Sequence, residues 1–213
     1  YSTGLNKNGW AFTVSAIGRY ANEGVIDGTF YNSFGLFASL EKVFNDKHSL
    51  NLTVWGAPTQ RATNSATYEE AYQLTGTNLY NPNWGWQNGE KRSSKIVETF
   101  DPTAVLNWIW KPKNGTTLNT GAAFRAVNYS TSALNWYNAA DPRPDYYRYL
   151  PSYFADNQEA FNLYTDLWRH DDSFRQINWD KLYQANYLNN QFGRGGNPDN
   201  HSSSYILENR HSN

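Results

Sequence analysis

Three close pairs of carboxylates, Glu69 with Glu70, Asp141 with Asp145 and Asp171 with Asp172, are the groups through which this sequence could do acid–base chemistry. Glycoside cleavage needs two such groups facing one another across a cleft. Nothing in the sequence sets any two of these across a cleft, and adjacent acids are expected instead to cap helices or face solvent. The histidines, His48, His170, His201 and His211, show no metal spacing of the H-E-x-x-H kind. Asp141, Asp145, Asp171 and Asp172 offer oxygen donors of the type Ca²⁺ takes, yet no calcium-loop pattern surrounds them. Ser202, Ser203 and Ser204 lack the G-x-S-x-G elbow of a hydrolase. The GRGG run at residues 193–196 lacks the strand and helix that flank a phosphate cradle. With 0 cysteines, disulfide frameworks and Cys-ligated metal centres are excluded. The chain therefore reads as something other than an enzyme, with no catalytic residue, no metal and no cofactor.

What remains is aromatic. Phe, Trp and Tyr make up 17% of the chain, with 9 Trp and 16 Tyr, more than a core of this size needs, so many are expected on surfaces. Flat exposed rings suit sugar rings, peptides or polycyclic ligands. Trp84, Trp86, Trp136, Tyr146 and Tyr147 are the expected ligand contacts, against the alternative that these rings only pack loops into a lid. A net charge of −1 excludes nucleic acid as the main partner. A mean hydropathy of −0.78, with no long apolar run, excludes helical membrane spans but not a membrane β-barrel, whose strands alternate.

The elements that must carry these rings follow a period of two. Trp10, Phe12, Val14, Ala16 and Tyr20 share a face; so do Phe34, Leu36, Ala38 and Leu40, then Leu50, Leu52 and Val54, then Leu106, Trp108 and Trp110, then Leu118, Ala122 and Phe124. Strands are expected at about 9–21, 30–44, 48–58, 95–111, 116–130 and 203–209. The connections at 5–9, 45–48 and 111–116 are short and rich in Asn, Lys, Asp, Pro and Gly, which tolerate turn dihedrals. Those at the opposite strand ends are long: 21–32, 59–94 and 131–202. Brief turns on one edge and large excursions on the other are the layout of an outer-membrane barrel. Trp10 and Trp110 beside the short turns, with Tyr20, Phe30, Tyr31 and Phe100 at the loop entries, read as two interfacial girdles. Arg19, Glu41, Asn51, Asn107, Asn119 and Arg125 are expected on the interior side.

Within the loops, Ser65 or Thr67 is expected to cap a short helix through Glu69, Glu70, Ala71 and Leu74 that ends at Gly76. Residues 156–190 read as helical, with Phe161, Leu163, Tyr164, Leu167 and Trp168 on one face and Trp179, Leu182, Tyr183 and Tyr187 on another.

Four segments carry a family resemblance: YSTGLNKNGWAFTVS at 1–15, DKHSLNLTVWGAPTQR at 46–61, NPNWGWQNG at 81–89 and WYNAADPRPDYYRYLPSY at 136–153. They resemble the barrel portion of TonB-dependent outer-membrane receptors, more narrowly those with a carboxypeptidase-regulatory-like domain ahead of the plug. The resemblance implies an all-β fold in the outer membrane of a Gram-negative bacterium. Residues 1–213 would be about five or six antiparallel strands of a larger, 22-stranded transmembrane barrel with long, partly helical extracellular loops. It also implies import of a nutrient ligand past a plug that the TonB complex pulls. The expected partners are the rest of the barrel and its plug, TonB through that plug, outer-membrane lipid, the unidentified nutrient and a surface lipoprotein. The chain has 0 methionines and shows no signal peptide, TonB box or plug, so it is expected to be an interior piece of a receptor. The alternative in a different class is a secreted carbohydrate-binding β-domain that uses its aromatics as platforms.

Overall fold

Residues that alternate apolar with polar form strands because a pleated ribbon sends successive side chains to opposite faces. In the computed structural model, which describes residues 1–194, 197 and 199–212, the first hairpin pairs β1 (Trp10–Ala21) with β2 (Tyr31–Asn45) along the whole of β1. The other edge of β2 is shared. Its Leu36–Asn45 portion pairs with β3 (His48–Gly56), and Tyr31, Asn32 and Ser33 pair with β4 (Thr59–Ala62). Beyond β4 lie β7 (Ile96–Phe100), β10 (Asn128–Trp136) and β11 (Tyr205–Ser212); beyond β3 lie β8 (Thr103–Lys113) and β9 (Thr116–Arg125). A separate hairpin of β5 (Trp84–Gln87) and β6 (Glu90–Ser93) stands apart from this nine-stranded antiparallel sheet, which does not close into a barrel.

The topology is simpler than that order suggests. β3 runs into β4, β7 into β8 and β9 into β10, each after a two-residue interruption at 57–58, 101–102 and 126–127. The register brings the three interruptions side by side, so the sheet is a meander with one transverse crease. Pro58 and Pro102 lie in it. A proline has no N–H to give a ladder, and here only the carbonyls serve: Pro58 accepts from Phe34 N at 3.2 Å and Pro102 from Ala126 N at 3.1 Å. The loops expected at 59–94 and 131–202 therefore begin later, because 59–62 and 131–136 are strand. Past the crease the face that was apolar carries Gln60, Glu98 and Ser130, which erases the alternation, while ladder bonds to neighbouring strands still hold the backbone extended.

At the short-turn edge the Asn6 carboxamide accepts from the N–H groups of Asn8 and Trp10, each at 2.9 Å, and the Asn45 carboxamide from those of Lys47 and His48, each at 2.9 Å. Gly9 has φ 74°, and a Cβ there would fall 2.2 Å from the Val43 carbonyl, so only glycine fits this turn.

One face is nearly all apolar, while the other mixes polar residues with Ile17, Phe37, Trp55, Val105 and Ile109. Phe12, Leu40, Leu52, Leu106 and Ala122 form one row across five strands, and Val14, Ala38, Val54, Ala104 and Phe124 form the next. These large apolar side chains are open to the surroundings: Leu36 is 52% exposed, Leu52 41%, Leu106 41% and Phe124 70%. The opposite face carries Glu41, Asn51 and Asn107 in one row and Thr13, Ser39 and Thr53 in the next. Arg19, Asn119 and Arg125 share that face by register. There Asn51 Nδ2 donates to Ser39 Oγ at 3.0 Å and Thr53 Oγ1 to Asn51 Oδ1 at 2.8 Å.

Burial is concentrated in the long connections instead. α1 (Glu69–Thr75), α2 (Gln158–His170) and α3 (Trp179–Phe192) gather two small cores, one around Ala71, Leu150 and Trp168, the other around Ile177, Trp179 and Leu182. Trp168 is fully buried, and its indole N–H donates to the Tyr149 carbonyl at 2.7 Å. No helix among the described residues is long and apolar enough to cross a membrane.

Three local expectations are corrected. Neither Ser65 nor Thr67 caps α1: Thr67 Oγ1 donates to Asp145 at 2.8 Å, and Ser65 Oγ receives Asn83 Nδ2 and Lys95 Nζ at 2.9 Å each. Leu163 faces outward on α2. On α3 the inward face is Trp179, Leu182, Asn186 and Asn189, while Tyr183 and Tyr187 are exposed. The Asn186 carboxamide accepts from the Ser204 and Tyr205 N–H groups at 2.8 and 3.0 Å and donates to the Tyr205 carbonyl at 2.8 Å. It stands in for a strand at the head of β11, where a polar side chain on the inner face of a helix is required.

Candidate functional site

The expected ligand contacts divide into two groups. Trp84 and Trp86 sit on the β5–β6 hairpin, whose turn is Asn88-Gly89 with φ 51° and 80°. This two-residue Asn-Gly turn flanked by four-residue strands is a hairpin signal legible in the sequence, and it identifies a residue the aromatic reading passed over. Lys91 is the cross-strand partner of Trp86. Its ammonium lies 4.9 Å from the Trp84 ring centre and 5.7 Å from that of Trp86, and it pairs with Glu23 and with Asp27, the latter at 3.1 Å. Burial works to lower the Lys91 pKa, but the hydrogen bonds and charges of Glu23 and Asp27 outweigh it and raise the value.

Trp84 is 6% exposed and Trp86 50%, so the two rings, T-shaped at 5.9 Å, have different work. Trp84 is packing: a Cβ on Gly28 would fall 2.2 Å from it, and its carbonyl accepts from Ile177 N at 2.8 Å. Trp86 is the open face. Together with Lys91, Asp27, Asp172, Arg175 and Gln176 it lines a cleft of about 520 Å³. Arg175 is ion-paired with Asp172, and its carbonyl accepts the Tyr80 hydroxyl at 2.9 Å on the cleft floor. Burial, with the negative Asp145 in support and Arg175 opposed, pushes the Tyr80 phenol far above its ordinary range, so it serves as a neutral donor.

Trp136, Tyr146 and Tyr147 are elsewhere and do not line this cleft. Trp136 ends β10 instead of sitting in a free loop, and the Arg143 guanidinium lies 5.1 Å from its ring centre. Arg143 in turn forks onto Asp141, with Nε to Oδ1 at 3.0 Å and Nη2 to Oδ2 at 2.6 Å. Tyr146 and Tyr147 meet edge-on at 4.7 Å beneath Arg148. The Arg148 Nε–H on the Tyr147 hydroxyl, at 3.0 Å, holds that phenol below the usual tyrosine range.

The acids are occupied locally. Glu70 accepts from Ser152 N at 2.8 Å, Asp141 from Arg143, and Asp171 from Ser173 N at 2.9 Å. The Ser173 hydroxyl on Asp171 holds that carboxyl below its usual range, and partial burial acts in the opposite direction. Asp145 is different: burial pushes its carboxyl up, against the Thr67 hydroxyl and the nearby positive Arg143. Among the described residues no group of three His, Asp or Glu side chains is placed to hold a metal ion. His170 pairs with Asp166 at 2.8 Å, His201 meets the Asn190 carbonyl at 2.9 Å, and His48 stacks on Trp108 and Trp110 at the short-turn edge. In the GRGG run, Gly195 and Gly196 lie outside the described residues.

The cleft sets the exposed Trp86 indole beside two ion pairs, Lys91 with Asp27 and Arg175 with Asp172, with the neutral Tyr80 phenol also in its lining. Comparisons with family models, with curated proteins and with solved structures find no match to this chain.

Proposed function

We propose that this chain is a sector of the wall of a TonB-dependent-type outer-membrane receptor, with the long connections forming its extracellular ligand-capturing side and the polar sheet face lining the lumen. The observation that carries the reading is the exposure of Leu36, Leu52, Leu106 and Phe124 on a continuous apolar face. Five strands at about 4.8 Å and the eight steps from Phe34 to Lys42 at about 3.3 Å give a patch of roughly 24 by 27 Å, on the order of 650 Å². Soluble monomers rarely leave more than a few hundred Å² of contiguous apolar surface open. A lipid environment removes the conflict.

The borders of the patch support the same reading. At its lower rim lie Trp10 with Lys42 at 4.7 Å and the stacked Trp108, His48 and Trp110, rings with apolar bodies and polar tips of the kind that belt a bilayer interface. At its upper rim the same face turns to Asn32, Gln60 and Glu98. At barrel tilt the span between is about 20 Å along the membrane normal, near the apolar band of about 25 Å that such barrels carry.

The test is fractionation of the full-length protein from a Gram-negative host. The expected result is a membrane fraction that resists high-salt washing, dissolves in detergent and migrates differently before and after boiling, with Lys91 labelled by an amine reagent on intact cells. Release of the protein by high salt would overturn the proposal in favour of a secreted carbohydrate-binding β-domain.

A further inference from the structure

The apolar face of the sheet ends in two rims of different charge. The upper rim is a single row paired strand to strand, Tyr20, Asn32, Gln60, Glu98, Ser130 and His211, with one carboxylate and no lysine or arginine. The lower rim, at the short turns, carries Lys7, Lys42, Lys47 and Lys113, and none of the four is ion-paired among the described residues. Asp46 is the one carboxylate in these turns. Glu41 and Lys111, the latter two residues past Ile109, lie on the opposite face.

Register and contacts put the cations where the apolar surface stops. Lys42 is the cross-strand partner of Trp10; its ammonium lies 4.7 Å from the Trp10 ring centre and donates to the Asn8 carbonyl at 2.7 Å, which leaves further N–H bonds free. Lys113 reaches the same face because a register shift after Trp110 makes it the partner of Thr116, two residues below Leu118. Lys7 and Lys47 sit in the turns themselves. His48 adds a donor: an indole N–H can only donate, so the 3.3 Å bond from Trp108 Nε1 to His48 Nδ1 puts the ring proton on Nε2.

Ammonium groups gathered without partners repel one another, and the charge that relieves this is anionic. It must also be joined to something apolar, because Lys42, His48 and Lys113 share their face with Trp10, Trp108, Trp110 and Leu118. A zwitterionic headgroup has the phosphate but brings a cation of its own among the lysines. We infer that the short-turn rim binds the phosphate headgroups of anionic phospholipids, whose acyl chains lie on the Leu40, Leu52 and Leu106 row, and that the upper rim does not. This rests on the membrane reading above and adds to it a selectivity for headgroup charge confined to one rim.

The test uses the full-length protein in nanodiscs of equal parts phosphatidylglycerol and phosphatidylcholine with identical acyl chains, followed by mass spectrometry of the lipids that stay bound on mild detergent extraction. Phosphatidylglycerol is expected to be enriched, and the enrichment to fall about five-fold in each of Lys42→Gln and Lys47→Gln, the effect of one lysine at an anionic surface. Lys42→Arg should keep it, and Lys181→Gln, which removes an exposed lysine of α3 on the loop side, should leave it unchanged. Raising salt from about 0.1 M to about 1 M, which shortens the screening length from about 10 Å to about 3 Å, should remove most of it. Heat-modifiable migration checks that each variant is folded. Equal retention of both lipids, no loss in Lys42→Gln and Lys47→Gln, an equal loss in Lys181→Gln, displacement by soluble glycerol phosphate at the lipid's own concentration, or an acidic protein held on the rim in place of lipid would overturn the inference. A protein recovered in the soluble fraction overturns the membrane reading; one that inserts and retains both lipids equally overturns only the headgroup selectivity.

Discussion

The sheet and the loops use one alphabet of large apolar side chains to opposite ends. In the sheet, Leu52, Leu106 and Phe124 are open and touch mainly their row neighbours; in the loops, Trp168 is wholly buried between Ala71 and Leu150, with Tyr80 and Phe174 edge-on at 5.6 and 6.2 Å. The loop region is thus the part with a water-soluble protein's interior, while the regular part lacks one. Regular secondary structure and a hydrophobic core are separable properties. A ladder satisfies backbone groups whatever surrounds it, whereas a core requires the surroundings to be water.

That contrast can be broken most strongly at Trp168. Trp168→Ala removes the centre of the α1–α2 core and is expected to destabilise the loops by about 3–5 kcal/mol, read as rapid proteolysis within residues 63–95 and 137–204 with the strand circular-dichroism signal retained. Loss of the sheet signal as well would mean that the two regions fold as one. Next comes Leu52→Arg, which on a lipid-facing strand costs about 2–4 kcal/mol near mid-bilayer, measured by urea unfolding of the full-length protein in vesicles. A change within about 0.5 kcal/mol, the usual range of a surface substitution in water, would sink the lipid-facing assignment.

The smallest effect expected is at Asp145. Its carboxyl is raised in the fold, mainly by burial, so the folded state prefers the protonated form. Its stabilising contribution is complete below the ordinary aspartate range near about 4 and is lost as pH rises through the higher folded value. Asp145→Asn keeps an acceptor for the Thr67 hydroxyl and is expected to flatten this dependence, giving slower loop hydrogen exchange than the parent at neutral pH and no difference at pH well below the aspartate range. The opposite sign would show that Asp145 is held by its charge and not burdened by it.

Much of the sheet was legible because its signals are local. Asn6, Gly9 and Asn45 set turns by their own dihedrals and side-chain hydrogen bonds, and alternation in Leu50–Leu52–Val54 sets a face. The site was legible only in part. Trp86 announces itself by type, but Trp84 is the same residue type two positions earlier, and only packing against Gly28 and residue 177 makes one buried and the other open. Lys91 was within reach through the Asn-Gly turn; Asp27, Asp172 and Arg175 were not, since they arrive from separate loops.

By itself, then, the chain determined where it turns, which residues alternate and which face of the alternating stretches is apolar, because those depend on neighbours within a few positions. Only the tertiary structure decided that the two-residue gaps at 57–58, 101–102 and 126–127 line up into a crease, that Asn186 substitutes for a strand beside β11, and that the buried core belongs to the loops. Those are contacts between residues far apart in sequence, whose free energy depends on how the elements meet and leaves no period to read.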